Sequence, residues 1–304
     1  MIDKLNYVLA LAREQHFGRA ALACGVTQPT MSAGLKQLED TLGIVIVRRS
    51  SRFQGFTPEG EHVLSWARRI VSDAQAMRQD LDALKRGLAG HLRIAVIPTA
   101  LTRIPSLTTP LRDHHPAVRL SITSNSSIEI LNRLNNLDVE AGITYLDNEP
   151  LGDVKTVPLY HESYRLLVSA DNPLGEREQV TWQEIGDLPL CLLTPDMQNR
   201  RIIDQMLRDA GARPDAALES NSVMLLVAHV ATSRWSSVVA ASLVEDLSLA
   251  TIRAIPIVSP QVTHLVGLVV PQRYAISPLT NALVREAERM AVRLGPVLPA
   301  AAAQ

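Results

Sequence analysis

The residues best placed to do chemistry lie in one short stretch, Thr27-Gln28-Pro29-Thr30-Met31-Ser32, with Lys36 one turn further on. Thr27 can accept a backbone N–H and start a helix, and Pro29 fits the first turn, where its missing N–H costs nothing. Gln28, Thr30, Ser32 and Lys36 then form a polar face able to reach base edges and phosphates in a DNA major groove. Arg48, Arg49 and Arg52 follow as a basic cluster suited to phosphate contacts. A third set, Thr99, Asn125, Ser126, Ser127, Thr144, Thr194 and Asn221, sits where apolar, strand-like runs end. Strand ends that open helices bind small molecules, and their free N–H groups favour an anion. Any one of these residues is well explained as a helix cap. Several aimed at one crevice would be more than capping requires.

Other chemistry is missing. The sequence holds no G-x-G-x-x-G, P-loop, G-x-S-x-G or H-E-x-x-H motif, so no enzyme, resident cofactor or metal site is expected. His114 and His115 are adjacent and would diverge by about 100° on a helix, a poor metal pair. Asp138 and Glu140 flank a strand and read as a solvated edge. Cys24 and Cys191 cannot build a disulfide framework. Cys24 falls on an apolar helix face and Cys191 in an apolar run, so both read as core residues rather than a redox pair.

The elements that position the polar stretch follow from periodicity. Leu5, Val8, Leu9 and Ala12 recur at helical spacing. Ala21, Gly25 and Met31 then supply what two steeply crossing helices need: a small contact residue, a tight turn and an apolar lock. Residues 44–47 alternate into the arginines and close at Phe56-Thr57-Pro58-Glu59-Gly60, a two-stranded wing with a basic tip. Next, Val63, Ala67, Ile70, Ala74, Met77, Leu81 and Leu84 repeat at spacings of 4 and 3. That narrow stripe favours a self-pairing helix over one packed on its own domain. Gly87 and Gly90 end it.

The segment 17–60 resembles the winged helix-turn-helix of LysR-type transcriptional regulators. The residues that carry the resemblance are Ala20-Ala21, Val26-Thr27-Gln28-Pro29, Ser32, Leu38-Glu39, Leu42-Gly43, Arg48-Arg49 and Thr57-Pro58-Glu59-Gly60. The chain departs from the family pattern at Ala33-Gly34, where a polar or basic residue is usual, and at Ile46-Val47, where Leu-Phe is usual. The resemblance implies a transcription regulator that binds double-stranded promoter DNA through Thr27, Gln28, Pro29, Thr30, Ser32, Lys36, Arg48, Arg49 and Arg52. It makes the stripe a linker helix that pairs two subunits, on a roughly palindromic operator, with a homotetramer as the full assembly.

Downstream, apolar runs at 92–97, 118–123 and 141–144 alternate with helical stretches at 101–114 and 127–137, which implies a parallel α/β sheet. Further strands are expected at 164–169, 190–193, 238–241 and 264–270, with a last helix over 277–294. The resemblance supplies the rest: a periplasmic-binding-protein-like domain of two Rossmann-like α/β subdomains. The expected units are a winged head over 1–58, a linker helix over 59–87 and a regulatory domain over 91–304. Within the last, subdomain I covers 91–161 and 265–304 and subdomain II 162–264. A small-molecule effector would sit between them against Thr99, Ala100, Asn125, Ser126, Ser127, Thr144, Thr194 and Asn221. Where the family often has a glycine-rich stretch, this chain has Arg234-Trp235, which adds a positive charge and points to an anion. A faint similarity to regulators associated with formate dehydrogenase genes makes formate a candidate.

The composition fits. The 304 residues are 46% hydrophobic and 4% aromatic, enough for an aliphatic core. Net charge is −1, but Lys and Arg outnumber Asp and Glu 12 to 9 up to Gly90 and trail 18 to 22 after it. A basic head on an acidic body suits a head that meets phosphates. The N-terminus lacks a basic segment followed by an apolar one, and no apolar run could span a membrane, so a soluble cytoplasmic protein without membrane contact is expected.

Overall fold

The structure is a computed structural model, which describes residues 1–49, 53–213, 215–246, 251–272 and 276–294. Helices α1 (Ile2–Glu14), α2 (Phe17–Ala23) and α3 (Gln28–Leu42) enclose a small core of Leu5, Val8, Leu11, Met31, Leu35 and Leu38. His16 caps α2 by accepting the N–H groups of Gly18 and Arg19 at 3.0 and 3.3 Å. Strands β1 (Val47–Arg49) and β2 (Phe53–Phe56) pair antiparallel as the wing. Phe53 packs edge-on between Phe17 of α2 and Phe56.

Helix α4 (Pro58–Arg86) divides the apolar stripe read from the sequence between two tasks. Near its start Ala67, with Leu64 and Val71, is buried in the head core, and Val63 packs against it. Further on, Ile70, Met77, Leu81 and Leu84 remain exposed, in line with Trp66. One chain therefore leaves a free apolar stripe on the distal part of the helix. Ser72 and Ala76, on another face, are buried towards the regulatory domain.

The regulatory domain is built on β3 (Gly90–Val96), β4 (Val118–Ser124) and β5 (Ala141–Tyr145), with α5 (Pro105–His114) and α6 (Ser127–Asn135) as crossovers. β6 (Val154–Ser169) is long. After it come β7 (Val180–Thr181), α7 (Trp182–Ile185), β8 (Leu190–Leu193), α8 (Gln198–Asp209), β9 (Ala216–Ser220), α9 (Val223–Val230), β10 (Ser237–Ala240) and α10 (Ala241–Asp246). β11 (Ile252–Val258), β12 (Thr263–Pro271) and α11 (Pro278–Leu294) complete it. Strand order is β4-β3-β5-β12-β6-β11-β7, with β10 also on β6, while β8 and β9 pair separately.

β3 is parallel to β4 and β5, as the crossovers require, but β12 is antiparallel to both β5 and β6. The sheet is thus mixed rather than parallel, because β6 and β12 carry the chain out of the first subdomain and back. β6 changes partners along its length: it pairs with β12 up to Ser163 and with β10 and β11 from Tyr164 onward. The helix expected from residue 101 begins at Pro105, after a 3₁₀ turn at Pro98–Ala100. The strands at Ala216–Ser220 and Ile252–Val258 had no clear alternation to announce them. Among the described residues no helix is long and apolar enough to cross a membrane, and no cluster of His, Cys, Asp and Glu could hold a metal.

Candidate DNA interface and effector cleft

Thr27 caps α3 through its hydroxyl oxygen, which accepts the Thr30 N–H at 3.4 Å, and its Oγ1 lies 2.8 Å from Oγ1 of Thr30. Met31, Leu35 and Leu38 hold the inner face of α3. Thr27, Gln28, Pro29, Thr30 and Lys36 lie exposed on the outer face, while Ser32 is half-buried. Gly34, unexpected inside a helix, sits under the Tyr7 ring: a Cβ there would lie 2.7 Å from Tyr7 Cε2. Close contact between α1 and α3 thus accounts for Gly34, whereas exposed Ala33 has no structural explanation.

Glu39 binds the wing to α3. Its buried carboxylate accepts the N–H groups of Ile46 and Val47 at 2.9 and 3.2 Å. Thr57 continues the brace, donating to the Val45 carbonyl at 2.5 Å and accepting from Gly60 N–H at 2.9 Å. Gly60 leaves room for the Ile46 carbonyl, which a Cβ would meet at 2.0 Å. Hydrogen bonds thus tie α3 and the wing to the first turn of α4. Arg48 is exposed on the wing; the side chain of Arg49, and Arg52 altogether, lie outside the described residues. The sequence had not singled out Glu39 for this role, since a lone acid at a helix end reads as solvated.

The second site is a cleft of about 480 Å³. Pro98, Thr102, Asn125 and Glu129 line one side, Asp196, Met197, Asn221 and Ser222 the other. Of the eight residues expected there, Asn125 and Asn221 line the cavity. Ser126 forms a capping box on α6 with Glu129. Asn125 is held by its Oδ1, which accepts from Thr123 at 2.9 Å and from Arg133 at 2.7 Å. Thr99 and Ala100 are buried behind the wall in the 3₁₀ turn. Ser127, Thr144 and Thr194 carry hydroxyls buried without a hydrogen-bond partner among the described residues.

Behind the wall lies a polar centre that sequence reasoning missed. Glu162, on β6, is buried and accepts a hydrogen bond from the Tyr145 hydroxyl. The same hydroxyl lies 3.4 Å from Thr99 Oγ1 and accepts from Asn199 Nδ2 at 3.3 Å. Burial pushes the Glu162 carboxyl up to about 7, against the opposing pull of Tyr145, Thr99 and Arg103. Burial also raises Tyr145 well above its ordinary value, and the nearby Glu162 charge adds to that. Two ion-pair straps link the subdomains on either side of the cleft. Arg201 of α8 holds Glu149 at 2.7 and 2.8 Å, and Arg103 reaches Glu245 at 2.7 Å and Asp246 at 3.6 Å.

Two sequence expectations change. Arg234 is exposed and Trp235 packs edge-on to His229, and neither lines the cleft, so the charge expected to favour an anion is not on its wall. Asp138 is not a solvated edge, because it pairs with Arg13 of the head at 3.2 Å. The thiols lie in separate cores, Cys24 against the head and Cys191 in a cluster under α9. Burial raises both, Cys191 to about 11.

Comparison with known proteins agrees with this architecture. Residues 2–61 match the family described as bacterial regulatory helix-turn-helix protein, lysR family, and residues 85–291 match the LysR substrate binding domain. A full-length OxyR variant from Pseudomonas aeruginosa is 30% identical, covers 95% of this chain and 94% of its own, and superposes with a TM-score of 0.73. The DNA-binding transcriptional dual regulator OxyR of Escherichia coli K12 is 26% identical over 295 residues, 96% of this chain and 95% of that protein. Full-length CbnR in complex with its target DNA, at 21% identity and a TM-score of 0.60, shares the fold over 96% of this chain and all of that one. This chain belongs to the LysR family of bacterial helix-turn-helix transcriptional regulators.

Proposed function

We propose that the protein is a promoter-binding dimer that reads sequence through Gln28, Thr30 and Ser32, contacts phosphate through Lys36 and the wing arginines, and responds to a small molecule in the cleft. The observation that carries this is the exposed polar face of α3, locked to the wing by Glu39 and to the linker by Thr57. Thr27 and Pro29 shape the helix start rather than read bases. The exposed stripe of Trp66, Ile70, Met77, Leu81 and Leu84 suits a second copy of α4, which sets two α3 helices on neighbouring half-sites. Two such dimers would make the tetramer. The test is binding to the DNA upstream of its own or the neighbouring gene, titrated with salt. Affinity should fall steeply as salt rises. Salt-insensitive or absent binding refutes the reading.

The effector reading rests on the cleft between the two subdomains. Closing on a ligand would change the angle between subdomains and so the spacing of the paired heads. Because the charged side chains on the wall, Glu129 and Asp196, are both acidic, an anion there would have only neutral hydroxyl and amide donors and helix N-termini to hold it. The cleft therefore suits a polar effector able to donate hydrogen bonds better than formate, for which the relatives give no support. Asn125→Ala and Asn221→Ala, at the two expected residues that line the cavity, should blunt a dose response while leaving effector-free DNA binding intact.

Relatives named hydrogen peroxide-inducible genes activators raise a thiol-sensing alternative. Against it, thiolate is the reactive form, and both thiols here are held towards the neutral state in separate cores. A Cys24→Ser, Cys191→Ser double variant that lost a peroxide response present in the parent protein would revive that alternative.

A further inference from the structure

We propose that the turn after α6 is a docking surface for the protein's own DNA-binding head, and that this contact fixes the orientation of the head against the regulatory domain. The proposal rests on the head being a DNA-binding unit.

The turn is unusual in its chemistry. Asp138 N–H donates to the Arg133 carbonyl at 2.9 Å and Leu137 N–H to the Leu134 carbonyl at 3.2 Å. This is a Schellman end, in which one residue takes the left-handed conformation and is usually glycine. Here that residue is Leu137, with φ +62°. A leucine in that conformation is strained where a glycine would not be. Strain of this kind persists where the side chain is needed. Leu137 packs against the core of the head. The next residue, Asp138, pairs with Arg13 at the end of α1. From behind, Arg93 of β3 donates to the Leu137 carbonyl at 3.2 Å and pairs with Glu140 at 2.6 Å. The turn is thus braced on the body and presents one apolar and one acidic side chain to the head.

The contact is loosely packed. A cavity of about 480 Å³ lies at the seam, bounded by Tyr7 and Arg13 of α1, Gln75 of α4, and Asn136 and Leu137. A seam with that much open space, to which the turn contributes one apolar contact and one partly exposed ion pair beside the packing of α4, can be made and broken. A head held at a fixed angle makes a dimer selective for half-site spacing, and a released head tolerates other spacings.

The experiment uses the full-length chain with Leu137→Gly and, separately, Asp138→Asn. Leu137→Gly removes both the contact and the backbone strain, so the regulatory domain should fold at least as well. Hydrogen exchange at the end of α1 should speed up by about fivefold or more, with β3 unchanged. Discrimination between the natural operator and one whose half-sites are moved by about half a helical turn should shrink by about threefold or more. Unchanged exchange in α1 in both variants overturns the contact. Faster exchange with unchanged spacing discrimination overturns its role in setting head geometry. Parent protein that binds neither operator would instead refute the DNA-binding reading.

Discussion

Replacing Glu162 with Gln should remove a pH dependence from the stability of the regulatory domain. The unfolded chain releases this proton near 4.5, while the folded protein holds it up to about 7. Between those values the folded state binds the extra proton, so stability falls as pH rises through the window. Each pH unit of displacement is worth about 1.36 kcal/mol, so the folded protein above pH 7 lacks about 3 kcal/mol that it holds below pH 4.5. Gln keeps an acceptor for Tyr145 but cannot ionise. Its amide N–H groups introduce a fixed cost of about 1–3 kcal/mol if they find no acceptor. That cost is the same at every pH, so the informative quantity is how the difference between variant and parent changes with pH. Urea unfolding at pH 5 and pH 8.5 should show Glu162→Gln gaining on the parent by about 2–3 kcal/mol across the interval. Other titrating groups cancel in that comparison. Parallel stability curves for the two proteins would show that Glu162 is not held neutral, and the reading of the buried centre would fail.

Gln28→Ala should lower operator affinity by about 1–3 kcal/mol and leave binding to random DNA and dimerisation unchanged, measured by fluorescence anisotropy on both DNAs. Leu81→Glu on the exposed stripe should convert dimer to monomer in sedimentation and reduce operator affinity by about 100-fold or more through lost bivalency. A Cβ at position 60 would collide with the Ile46 carbonyl, so Gly60→Ala should destabilise the head by about 2–4 kcal/mol in urea unfolding and leave the regulatory domain untouched. With its pKa near 11, Cys191 should be roughly 0.03% thiolate at pH 7.5 and alkylate far more slowly in the native protein than after denaturation.

The head was legible in the sequence because its signals are local. Thr27 as a cap, Pro29 in the first turn, and Met31, Leu35 and Leu38 at helical spacing are read within one element. Gly34 stands in the sequence only as a departure from the family pattern, because its reason, the Tyr7 ring, comes from 27 residues earlier. The crossover strands were harder. β6 alternates poorly because it is buried on changing faces as it passes between partners, and the antiparallel return of β12 leaves no mark in either strand alone. The cleft was legible only in part: of eight polar or small residues at strand ends, Asn125 and Asn221 line it. The centre made of Tyr145, Glu162 and Asn199 joins three distant segments, and no spacing rule connects them. Leu137 was invisible for a stronger reason, since a leucine gives no hint of a left-handed backbone.

If the cleft responds to a small molecule as proposed, the contacts that cross between the subdomains put that equilibrium on a small free-energy scale. The Arg201–Glu149 and Arg103–Glu245 straps are partly exposed, and such pairs contribute about 0–1 kcal/mol each. The buried network at Tyr145 adds hydrogen bonds across the same divide, with Asn199 on one side and Thr99 on the other. A cleft held by contacts of this size does not need a tightly bound effector to be moved. A ligand that favours one arrangement by about 1.4 kcal/mol shifts the balance tenfold. On the proposed reading, the linker would pass such a shift to two heads spaced by the pairing of α4, and geometry rather than new contact would decide which operator is bound.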